Sequence, residues 1–148
     1  MINQMVKNEP KLKYTPCIAA NTFMSLLKTN PHKAWEYGRE MLAASTYEES
    51  LNYFIYDNVE FFADKLNLPA EIYRLAIEAY LVDIDQYPET TNIPKAYHKM
   101  AAYHWHANEK SAAVDTEQKA IEALKNKKDF SKADMAEFES RLQQYRSR

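Results

Sequence analysis

The feature that most constrains this chain is its lack of glycine: of 148 residues only Gly38 is one. Average usage would supply about ten. Tight hairpin turns, phosphate-cradling loops and nucleophile elbows all draw on residues that accept positive φ without strain. A chain with one such residue is poorly suited to hairpin-rich β folds and to most nucleotide-binding loops, whereas helices joined by short connections need little glycine. Apolar residues make up 46% of the sequence and aromatic residues 13%. That is enough to build a packed core, which excludes a disordered chain.

The expected fold class is therefore all-α. Thr15 followed by Pro16 is a helix-start signal, because a hydroxyl can cap free amides and proline at the first helical position sacrifices no hydrogen bond. Ile18, Thr22, Phe23, Leu26 and Leu27 then recur at helical spacing to about Thr29. Asn30 and Pro31 repeat the start for a second helix to about Ala44, which buries Ala34, Trp35, Tyr37, Gly38, Met41 and Leu42. Thr46 and Glu49 have capping-box spacing. They open a third helix to about Leu66, whose apolar set, Leu51, Phe54, Ile55, Val59, Phe62, Ala63 and Leu66, is wide enough to require cover on more than one side.

A fourth helix carries Ile72, Leu75, Ala76, Ala79, Tyr80, Val82 and Ile84 and stops before Pro88, and residues 89–94 read as a loop. The fifth is expected near 95–107 and the sixth from Glu109 to about Lys125, with Asn108 as the joint. Lys125, Lys127 and Lys128 fall where cations offset the negative end of a helix dipole. Ser131 caps a seventh helix with Met135, Phe138, Leu142 and Tyr145 inward and Glu137, Glu139, Arg141, Gln143 and Arg146 outward. Joints this short favour antiparallel neighbours. Residues 1–13 read as a leader or linker and 14–148 as a single helical domain.

Residues 96–126 resemble a tetratricopeptide repeat, a helix-turn-helix unit of about 34 residues that alternates large and small packing positions. Tyr97 stands at the large aromatic position, Met100 and Ala101 form the large-small pair, and Ala113 and Ala120 match the small residues of the second helix. His104 and Glu117 depart from it at aromatic positions. Looser matches run to Pro88, through Ala76 and Tyr80, and over 34–42. The resemblance implies a degenerate right-handed array of helix pairs with a capping C-terminal helix, used for binding a protein or peptide. Residues 118–145 and the Asn30-Pro31-His32-Lys33-Ala34 start also look similar to helical extensions of secreted bacterial thioredoxin-like proteins. That likeness implies an accessory role to a catalytic domain outside this chain, and a periplasmic site.

Several function classes drop out. The formal charge of −2, with acids and bases interleaved, provides no field to steer nucleic acid. No apolar run reaches the length of a membrane helix, and the first fourteen residues lack the apolar stretch of a signal peptide, so the chain as given reads as cytoplasmic. Cys17 is the sole cysteine, which excludes an internal disulfide and a Cys-x-x-Cys pair. It reads as a small buried or half-buried hydrophobe. His98, His104 and His106 cluster in sequence, but residues two apart on a helix point about 200° apart. They do not converge as zinc ligands must; His104 reads as packed between helices and His106 as solvated. Asp57, Glu60 and Asp64, with Asp83 and Asp85, read as solvated ridges or as an acidic rim for a basic peptide. No catalytic set, cofactor or metal is expected. The eleven tyrosines suit both core edges and binding surfaces, and Tyr56, Tyr73, Tyr103 and His106 are the candidate partner-binding residues.

Overall fold

The computed structural model describes residues 15–45 and 51–148. Seven α-helices, and no strand, occur among these residues: α1 (Pro16–Thr29), α2 (Pro31–Ala44), α3 (Asn52–Ala63), α4 (Ala70–Gln86), α5 (Ile93–His106), α6 (Lys110–Lys125) and α7 (Lys132–Ser147). The 1–13 leader and the Thr46–Glu49 capping box lie outside the described residues. The stretch read as one domain forms two compact units, the first ending at Ala79 and the second running from Tyr80 to Arg148.

The helix starts follow from local chemistry. Asn30 accepts a hydrogen bond from the Lys33 amide at 3.1 Å, and Ser131 accepts from the Asp134 amide at 3.2 Å. Each satisfies an amide that the first turn leaves open. Thr15 occupies the N-cap of α1 ahead of Pro16, although its side chain makes no cap bond there. Helix α5 starts two residues earlier than the sequence suggests. Asn92 caps it by accepting from the Lys95 amide, and Pro94 is taken into the first turn, where a missing N–H costs nothing. The joint before α6 turns on Asn108, at φ 62° the only non-glycine residue with positive φ among those described. Asparagine tolerates that region better than most side chains.

In the first unit, Ala19, Phe23 and Leu27 of α1 meet a core supplied also by Ala34, Tyr37 and Met41 of α2 and Ile55, Val59 and Phe62 of α3. Helix α3 packs against both α1 and α2, as the width of its apolar set requires. Gly38 sits on the buried face of α2. A Cβ built there would lie 2.4 Å from Leu75 Cδ2 of α4 and 3.2 Å from Phe23 Cε2. The lone glycine thus serves close packing in mid-helix rather than a turn. At the surface of this unit Arg39 pairs with Glu78.

The second unit is built on α5 and α6, the most extensively packed helix pair, with α7 laid against α6. One cluster holds Ala120, Ile121, Leu124 and Phe138, edged by Tyr97, Met135 and Leu142. The other holds Ala101, Ala113 and Tyr145, edged by Trp105 and Val114. Tyr145 stacks on Trp105 with ring centroids 4.9 Å apart, and Tyr80 stacks on Tyr103 at 6.2 Å.

Candidate functional site

The outward face of α3 combines aromatic and acidic side chains in the open. At 100° per residue, Tyr53, Asp57, Glu60, Phe61 and Asp64 project within one arc of about 100°, opposite the buried Ile55, Val59 and Phe62. All five are exposed. Tyr53 is 43% exposed and Phe61 58%, high for large aromatic rings. The same stripe logic that buries one side of the helix leaves these two outside. Tyr53 is propped by Phe54, ring centroids 3.9 Å apart, and Phe61 meets Phe62 edge-on at 4.9 Å.

Three carboxylates, Asp57, Glu60 and Asp64, lie between and beside the rings, with Lys65 at the C-terminal end. Lys65 places its ammonium 3.4 Å from the Phe61 ring centroid and bonds the Phe61 carbonyl at 2.8 Å. That contact shows the face already accommodating a cation over an aromatic ring. The field of Asp64 reaches inward too: with burial as the larger cause, it raises the Tyr73 phenol above its ordinary value.

The four tyrosine and histidine candidates separate. Tyr73 and Tyr103 are buried, at 3% and 2% exposure, Tyr56 is half-buried on the shoulder of α3, and His106 is exposed. Within its own unit, neither Tyr73 nor Tyr103 therefore reaches a surface. Tyr53 and Phe61, which do share one, were not among the candidates. Their signal was available in the helical wheel, since both fall off the apolar stripe and onto the acidic ridge.

The remaining chemistry-bearing groups take up different positions. Cys17 is exposed, not buried, because the first turn of α1 turns it away from the Ala19 and Phe23 side; its Sγ lies 3.6 Å from Asn21 Nδ2. Asp85 is solvated as expected, whereas Asp83 is buried, at 8% exposure, where its carbonyl accepts from the Tyr87 amide at 2.8 Å and the Thr91 hydroxyl at 3.2 Å. His104 Nδ1 lies 2.7 Å from Glu109 Oε2 across the Asn108 joint. Among the described residues no three His, Cys, Asp or Glu side chains gather as a metal ion would need.

His98 and Glu117 form a buried acid-base pair. Glu117 is fully buried, its Oε1 2.6 Å from His98 Nδ1 and its Oε2 without a hydrogen-bond partner. Burial pushes its carboxyl above the usual range, while the His98 bond and the charges of His98 and Arg141 pull the other way. The pair was missed because His98 was weighed only against its sequence neighbours. Glu117, four residues after Ala113 and three before Ala120, sits in the middle of the buried stripe, and that was the available sign.

No known protein family matches this chain, and neither a curated protein nor a solved structure resembles it at a significant level. No helix among the described residues is long and apolar enough to cross a membrane.

Proposed function

We propose that the chain is a non-catalytic binding module, built of paired helices in the tetratricopeptide manner, that takes a basic protein segment on the outer face of α3. The observation that carries this reading is the exposure of Tyr53 and Phe61 amid Asp57, Glu60 and Asp64. Two rings two helical turns apart, about 12 Å, give anchoring points for apolar side chains of a partner. The carboxylates around them favour a partner rich in lysine or arginine and disfavour an acidic one. The repeat-like architecture is supported by the small residues of the motif: Ala101, Ala113 and Ala120 are all fully buried. The approach of His98 to Glu117 and of Ala101 to Ala113 is what an antiparallel α5–α6 pair would give.

The test is a calorimetric titration with a lysine-rich peptide carrying two leucines seven residues apart, beside a glutamate-rich peptide with the same leucines. The lysine peptide is expected to bind, more weakly as salt rises, and the double variant Y53A/F61A to lose about tenfold or more in affinity. Equal binding of both peptides, or an unaltered affinity in the double variant, would sink the proposal.

A further inference from the structure

His98 stands between two carboxylates of different character. On its Nδ1 side lies Glu117 of α6, at 2.6 Å and sealed from solvent; on its Nε2 side lies Glu137 of α7, at 3.4 Å and 59% exposed. The ring also stacks on Phe138 of α7, centroids 4.2 Å apart and planes 15° from parallel. An ionised carboxylate only accepts hydrogen bonds, so a ring facing two of them is best matched by the imidazolium, which donates from both nitrogens. We propose that His98, Glu117 and Glu137 form a proton-operated clasp that holds α7 against α5 and α6 when His98 is charged and loosens it when His98 is neutral.

The geometry decides which proton leaves. The Nδ1 side is enclosed against buried Glu117, whereas Nε2 lies at ion-pair distance from exposed Glu137, and a proton there passes to water. Its loss leaves a lone pair on Nε2 facing the Glu137 carboxylate, so an attraction between α5 and α7 becomes a repulsion. It also removes the formal counter-charge nearest the buried Glu117. Two further charges act on Glu117 from α7: Arg141, which attracts it and partly offsets that loss, and Glu137 itself, which opposes it. One turn beyond Arg141, burial pushes the Tyr145 phenol up to about 12, so it stays neutral throughout the range. Arg146 of α7 also donates to the neutral Gln118 side-chain oxygen of α6 at 3.2 Å. Helix α7 suits such control because only Phe138 and Tyr145 of its sixteen residues are buried. Its release would uncover Ala120, Ile121 and Leu124, the apolar surface it covers.

Amide hydrogen-exchange protection factors of the full chain, corrected for intrinsic rates, test this at about pH 5.5 and about pH 8. Protection in α7 is expected to fall about tenfold or more between the two, with α1–α3 unchanged. Glu137 is exposed, so Glu137→Gln is not expected to disturb folding, and its amide can donate to a neutral Nε2. That variant is expected to hold α7 protection within about twofold across the same range. Constant α7 protection in the wild type, or the same fall in Glu137→Gln, would overturn the proposal.

Discussion

Helices α3 and α6 both carry carboxylates, and the two treat them in opposite ways. On α3, Asp57, Glu60 and Asp64 fall off the apolar stripe, stay in water and share their face with two exposed rings. On α6, Glu117 falls within the stripe, between Ala113 and Ala120, and is buried completely. The same chemical group is in one place part of a surface and in the other an internal charge that needs a partner. Register against the apolar stripe, a matter of one or two residues, separates an exposed acidic and aromatic face from a structural acid-base pair. The two cores differ in a matching way. That of the first unit is closed by apolar contact around Gly38, while the second unit is closed partly through His98.

The largest effect that would sharpen this contrast is expected at Phe138. It is 1% exposed and backs the His98 ring, so Phe138→Ala removes both an apolar anchor and the support of the ion pair. A loss of about 3–5 kcal/mol is expected, seen in denaturant melts followed through Trp105, which stacks on Tyr145 in the same unit. A loss no larger than that of a surface substitution would mean that α7 is not held as described. In the first unit, Gly38→Ala places a methyl against the Leu75 side chain. Overpacking of this kind costs about 1–3 kcal/mol where neighbours give way only in part, and a thermal melt of the variant reads it directly.

A smaller effect concerns pH. The folded-state pKa of Glu117 lies above its unfolded value of 4.5. An acid raised in this way binds its proton more tightly in the folded chain, so its stabilising contribution is complete below the unfolded value and is lost as pH rises through the folded one. Stability measured by urea titration should therefore decline over that window in the wild type, and this part of the decline should vanish in Glu117→Gln. A stability rising with pH at the same rate in both chains would contradict the burial of the charge.

The helices were legible because their signals are local. Pro16, Pro31, Asn30 and Ser131 mark starts that the backbone adopts, and the apolar spacing of α1, α2 and α7 identifies the sides they bury. Pro94 misled because a proline ends a helix in one context and begins one in another, and only the Asn92 cap decides between them. The sites were harder to read. Tyr73, Tyr103 and Tyr53 have the same composition signal, and their burial is decided by which helices arrive beside them. His98 and Glu117 are nineteen residues apart, and their contact depends on how α5 and α6 pack, which spacing within either helix does not specify.

The central claim is that α3 presents the recognition face. It is tested most directly by adding the lysine-rich, two-leucine peptide to isotopically labelled protein and mapping the amide shift changes. The account predicts that the largest changes cluster between Asn52 and Lys65 and diminish with added salt. Changes concentrated on α5–α7, or none at saturating peptide, would contradict it.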